Sequence, residues 1–130
     1  MEAYAIHKNA LIKPRLARMT MDLIRGKDVE TARGILENTN TKASRLILKV
    51  LNSAVANAVN NFGANENELR ISECYINPGP IYKRIKFASR GNVDRHDKRS
   101  SHITVCVSDT AKWVKYNGTK SKSYRISSWW

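Results

Sequence analysis

Acidic side chains are scarce in this sequence: 11 aspartates and glutamates stand against 23 lysines and arginines, a formal net charge of +12 over 130 residues. So one-sided a field works against compaction of the isolated chain and favours a polyanionic partner. Cysteine is scarcer still. Cys74 and Cys106 are the only two; both lie in strand-like sequence without CxxC or Cys/His spacing, which argues against a zinc site and for reduced, buried thiols. No metal and no other cofactor is expected. Histidine is limited to three residues, so an enzyme reading must rest on His96 and His102 beside Asp94 or Asp97, a grouping able to cleave RNA by general acid–base chemistry. No second catalytic signature accompanies them, and they lie in a stretch that cannot hold a rigid shell around itself. The expectation is no enzyme and no catalytic residue. Long apolar runs are also missing, both at bilayer-spanning length and as a signal-peptide core near the start, and a soluble intracellular protein without a membrane span is expected.

What is present is a segregated charge. Residues 28–77 carry five basic and six acidic side chains, whereas residues 7–27 carry six against one, 78–102 seven against two, and 111–130 five against none. Three basic segments surround a neutral body. Residues 78–102 hold Lys83, Arg84, Lys86, Arg90, Arg95, Lys98 and Arg99, and between Ile85 and Ile103 only Phe87 and Val93 are large and apolar. Such a stretch cannot bury a core. It is nevertheless flanked by strand-like sequence at 69–76 and 102–109, with Gly91 near its middle, and this is the pattern of a long β-hairpin arm. Roughly ten residues per side at about 3.3 Å each would project ~30 Å. An isolated two-stranded hairpin is marginal in water, so an external polyanion must order it; the other reading is a solvated, disordered basic loop.

The remaining chain supplies a body. Residues 2–12 read as a strand, and Pro14 suits the first turn of a helix in which Leu16, Met19, Leu23 and Ile24 are expected to face the core. Lys13, Arg15, Arg18, Arg25 and Lys27 would then form an outward basic ridge, with Gly26 as a left-handed cap. Asp28 opens a short second helix with Val29, Ala32, Ile35 and Leu36 inward. Asn40 or Thr41 opens the longest helix, whose apolar positions 43, 46, 47, 50, 51, 54, 55 and 58 keep helical spacing until Gly63. Asn52, Asn57, Asn60 and Asn61 crowd that helix with amides, either as a polar outer face or as a face reading phosphate and ribose. The fold class predicted is α+β: a small antiparallel three-stranded sheet packed against three helices, with a long protruding hairpin arm. One globular domain would span 1–110, including the arm at 78–102. Residues 111–130 would form a basic aromatic tail, where Trp113, Tyr116, Tyr124, Trp129 and Trp130 alternate with cations in a way suited to unpaired RNA or, for the tail alone, to a lipid interface.

Four ordered motifs sharpen this picture: PxxxRxxxDLIRGK from Pro14, KVLNSAVANAVNN from Lys49, GPxxKR from Gly79 and KRSSHITVxVSD from Lys98. Together, in one register over roughly residues 1–110, they closely resemble the bacterial-type large-subunit ribosomal protein L twenty-two family. The resemblance implies a structural, RNA-binding role: a body seated on the large subunit near the exit, aiding assembly, and a hairpin threaded through ribosomal RNA to line the peptide exit tunnel. The partners implied are large-subunit ribosomal RNA, neighbouring proteins including ribosomal protein L four, and the nascent polypeptide, in a cytoplasmic or organellar ribosome. The RNA-binding residues expected are Lys13, Arg15, Arg18, Arg25, Lys27, Lys83, Arg84, Lys86, Arg90, Arg95, Lys98, Arg99 and His102, with a tip turn at Ser89, Arg90, Gly91 and Asn92. That tip departs from the family's usual Pro-Arg-Ala-x-Gly-Arg pattern, keeping Arg90 and Gly91 but lacking the proline and two arginines. A free-standing RNA-binding or regulatory module is the competing reading.

Overall fold

Small and large residues alternate along β1 (Glu2–Ala10), so that Ala3 and Ala5 are buried while Tyr4 and Ile6 face outward. The structure, a computed structural model, describes residues 1–109, and the expected tail at 111–130 lies outside them. After β1 come α1 (Pro14–Asp22), α2 (Val29–Asn38), α3 (Lys42–Phe62), a 3-10 turn at Glu66–Glu68, then β2 (Leu69–Phe87) and β3 (Val93–Asp109). The three strands form one antiparallel sheet in the order β1-β3-β2. The helices lie over its inner face, and the α+β architecture read from the periodicities holds.

The core follows from where small residues stand. α3 packs on β1 and β3, and Ala54 and Ala58 of the helix, like Ala3 and Ala5 of the strand, are buried. Small side chains on both surfaces allow close approach, and Ile47, Leu51, Ile103, Val105 and Val107 fill the space beside them. The ends of α3 have clear chemical causes. Thr41 and Ser44 form a reciprocal capping box at its start, and Gly63 ends it at φ 63°, a conformation costly for any residue with a Cβ.

One expectation about a helix face needs correction. In α1 the buried side is Pro14, Ala17, Thr20 and Met21, continued by Ile24, whereas Leu16 is 58% exposed and Met19 68% exposed, with Leu23 also outward. Of the expected stripe only Ile24 is inside: small Ala17 and Thr20 let the helix approach β2, and Met21 is buried beside them in place of Leu16, Met19 and Leu23. The cations then do something unforeseen. Arg18 Nε donates to the Ile76 carbonyl at 3.2 Å and an Arg25 guanidinium N–H to that of Cys74 at 3.3 Å, so two arginines expected on a free outer ridge satisfy acceptors on an edge strand. The amide-rich face of α3 is the polar outer face, with Asn52, Asn60 and Asn61 exposed, and two of its amides also bond within the fold: Asn57 donates to the Tyr4 carbonyl at 3.1 Å, and Asn52 accepts from Arg33 at 2.8 Å. Asp28 precedes α2 as expected but does not cap it through its side chain; it pairs with Arg70 at 2.6 Å instead.

The two thiols occupy opposite environments. Cys74 is buried against α1, and that burial pushes its thiol pKa up, with the hydrogen bond and charge of Arg25 offsetting part of the rise; Cys106 is half-buried on the open sheet face. A maleimide reagent at neutral pH should therefore label Cys106 of the native protein at least about tenfold faster than Cys74, since access and thiolate fraction both set the rate. Peptide mass mapping across a time course checks this, and equal labelling would contradict the seating of α1 on β2.

Candidate nucleic-acid interface

β2 and β3 do not stop where the core stops. Their ladder continues through Ile81↔Arg99, Tyr82↔Lys98, Lys83↔Asp97, Arg84↔His96, Ile85↔Arg95 and Lys86↔Asp94 to Phe87↔Val93. Apart from half-buried Asp97, all the residues in these pairs are exposed. The ribbon closes at Ala88–Asn92, where the Ala88 N–H donates to the Asn92 carbonyl at 2.8 Å and a 3-10 turn spans Ser89–Gly91. Arg90 at φ 58° and Gly91 at φ 72° make the reversal. Glycine tolerates that region freely. Arg90 does not, and its strain of roughly 1 kcal/mol or more leaves a cation at the outermost point of the arm.

The root of the arm is a polar clamp. The register shifts between Pro78 and Ile81, and Gly79 sits so close to β3 that a Cβ there would lie 2.6 Å from Ser100 Oγ. Ser100 Oγ donates to the Pro80 carbonyl at 2.6 Å, and Ser101 Oγ donates to the Ile12 carbonyl at 3.1 Å. Both serines are buried. On the other side of β3, the Asn9 N–H donates to His102 Nδ1 at 3.1 Å, beside the irregularity in β1 between His7 and Ala10. His102, expected among the RNA-binding residues, is thus already engaged in joining β1 to the arm. These contacts join the two strands at the root, tie them to the body at Asn9 and Ile12, and set the ribbon's direction.

The sequence-expected cations fall into two groups. Lys83, Arg84, Lys86, Arg90, Lys98 and Arg99 are exposed along the arm, as is Arg95, although its Nε bonds Asp97 at 2.9 Å. Lys13, Arg15, Arg18, Arg25 and Lys27 follow α1, whose start is joined to the root through Ile12 and Ser101 and whose middle is joined to β2 through Arg18. Arg25 also pairs with Asp22 at 3.0 Å. Lys42, which residue type alone did not single out, lies with Lys13 around a hollow of about 500 Å³ also lined by Leu11, Leu16 and Met19, and its ammonium donates to the Leu11 carbonyl at 3.1 Å. Gly79 and Ser100 were missed as well. The Pro-Gly-Pro triplet at 78–80 was the available signal, since it breaks a strand just where the ladder shifts. Among the described residues no group of histidines, cysteines and carboxylates is placed to hold a metal ion, and no helix is long and apolar enough to cross a membrane.

Comparison with known proteins bears on the whole of this arrangement. The sequence model of the family described as ribosomal protein L22p/L17e matches residues 5–108, which take in both the sheet and the arm. The large ribosomal subunit protein uL22 of Thermotoga sp. (strain RQ2) is 50% identical over 115 residues, covering 88% of this chain and 72% of that protein. Its counterpart in Fervidobacterium nodosum is 46% identical over 121 residues, 93% of this chain and 80% of the relative. That of Thermosipho africanus is 53% identical over 108 residues, 83% and 73% respectively.

The clamp makes a stability prediction. Gly79→Ala should displace Ser100 Oγ from the Pro80 carbonyl and cost the free protein about 1 to 3 kcal/mol in urea unfolding. Adding Ser100→Gly, which removes the obstructing hydroxyl, should make the double variant more stable than the additive sum of the two single losses. Strict additivity would show that the two residues do not meet.

Proposed function

Because the chain belongs to the ribosomal protein L22p/L17e family, we propose that it is a structural constituent of the large ribosomal subunit, bound to its RNA through the α1 cations and the arm. The observation that carries this reading is the paired ribbon from Ile81 to Arg99, rich in exposed cations and without a body surface of its own to lie against. A two-stranded ribbon that cannot bury apolar area gains its order from the partner. Spaced guanidinium and ammonium groups on both strands suit the phosphates of a folded RNA.

In this reading the body docks at the subunit surface and the arm enters the RNA, with its tip at Ser89, Arg90, Gly91 and Asn92 lining the peptide exit tunnel, next to ribosomal protein L four and the nascent polypeptide. The body with its arm acts as one domain. The relatives are bacterial, which supports a bacterial-type cytoplasmic ribosome. The role is structural rather than catalytic: His96 stands opposite Arg84 on the projecting ribbon, and His102 Nδ1 already accepts a backbone N–H. Neither has the supported surroundings that acid–base chemistry requires. Assembly of the subunit benefits because one small protein bridges RNA at the surface with RNA deeper in the particle.

Two measurements test the proposal. If the α1 and arm cations together neutralise about eight phosphates, affinity for large-subunit RNA fragments should fall about 10³- to 10⁴-fold for a fourfold rise in salt; a flat response would rule this binding mode out. Replacing residues 82–98 by Asn-Gly preserves the Ile81↔Arg99 pair and the root clamp, so the free protein should melt within a few degrees of the parent. The shortened protein should still co-sediment with the large subunit through a salt wash, while protection of RNA ~30 Å from the body disappears. Recovery of the intact protein mainly at the top of the gradient would favour a free regulatory module instead.

A further inference from the structure

The ladder divides the arm into two unlike faces. Opposed residues share a face and alternate along each strand, so Ile81, Ile85 and Phe87 of β2 fall on one side together with Val93 of β3. Tyr82, Arg84, Lys86, His96 and Lys98 fall on the other. Every large aliphatic side chain of the ribbon therefore occupies a single face, and at its outer end Phe87 is 87% exposed and Ile85 72% exposed. Nothing in the hairpin covers them. On the same face Lys83 and Arg95 flank these apolar groups, and the carboxylate of that face, Asp97, is occupied by Arg95, while Asp94 stands on the other face opposite Lys86. A shallow hollow of about 440 Å³ on the ribbon is lined by Lys83, Arg84, Ile85, Val93, Asp94 and Arg95.

We propose that Phe87 is a stacking platform for an unpaired RNA base, with Ile85 and Val93 bordering the contact and Lys83 and the remaining N–H groups of Arg95 taking adjacent phosphates. The opposite face, with Arg84, Lys86 and Lys98, follows the phosphate backbone. The inference rests on the reading of the arm as an RNA-threaded element and adds which face meets bases. A protein surface would have to supply both an apolar pocket for the ring and acidic groups for Lys83 and Arg95. Single-stranded RNA presents a flat π-face and a phosphate at every nucleotide, which matches an aromatic ring set among cations.

The test uses large subunits assembled with the full chain, carrying the photoreactive p-benzoylphenylalanine in place of Phe87 or, separately, of Lys86. Light should attach position 87 to RNA, leaving a nuclease-resistant nucleotide on the peptide, and position 86 should also attach to RNA. In parallel, chemical probing of particles bearing Phe87→Leu should show at least one base about fivefold or more reactive, as expected when an aromatic stack is lost, while Phe87→Tyr leaves that base protected. Attachment of position 87 to a protein or to a nascent chain, with position 86 still on RNA, would overturn the stacking assignment and leave the RNA-bound arm intact; so would identical probing of the leucine and tyrosine particles. If neither position reaches RNA, the reading of the arm itself fails.

Discussion

The pairing of β2 with β3 is the constraint on which everything else depends. It begins in the core, where Ile71 opposes Val107 and Ile76 opposes Ile103, and runs without a break in strand identity to Phe87 and Val93. At the inner end the ladder is held by burial: Ile71, Ile103 and Val107 are fully enclosed and fix the register, because a slip of one residue would turn this apolar set toward water. At the outer end no burial exists. The register there is inherited from the body, through a root in which Gly79, Ser100 and Ser101 are packed too closely to slide.

That dependence explains why the edge of β2 is so heavily attended. A long strand with an open side invites pairing with other chains. Here α1 and the segment after it cover the body portion: Arg18 and Arg25 take the carbonyls of Ile76 and Cys74, the Ile71 N–H donates to the Lys27 carbonyl at 3.0 Å, and Asp28 bridges to Arg70. The same cations that give α1 its positive field also terminate the sheet. Beyond Pro78 the protection changes in kind, because a ribbon lined with lysine and arginine repels a second copy of itself while remaining attractive to phosphate.

Much of this was legible in the residues. Strict alternation around Val105, the helical spacing from Ala43 to Ala58 and the glycine at 63 specify elements through local physics, since each depends on a period of two or 3.6 residues or on one backbone conformation. The arm was legible for a related reason: a stretch with strand-like flanks, a central glycine and almost no apolar content has few ways to be ordered. The four motifs from Pro14 to Asp109 carried the family, and a family with a fixed topology carries the α+β arrangement with it.

What the sequence by itself determined, then, is the set of elements, the segregation of charge and the existence of a projecting basic hairpin. Tertiary structure alone decided which face of α1 is inside, because Leu16, Met19 and Leu23 form as good an apolar stripe as Ala17, Met21 and Ile24, and the choice depends on how near the helix backbone must come to β2. It also decided that Arg18, Arg25, Asn57 and His102 serve the fold's own backbone groups, since a long polar side chain carries no mark of whether its acceptor is a distant carbonyl or a phosphate. And it decided the two faces of the arm, whose composition is written in the chain but whose sides are defined only once Phe87 is set opposite Val93. Local periodicity names the parts; contacts between residues as far apart as Asn9 and His102 settle how those parts meet.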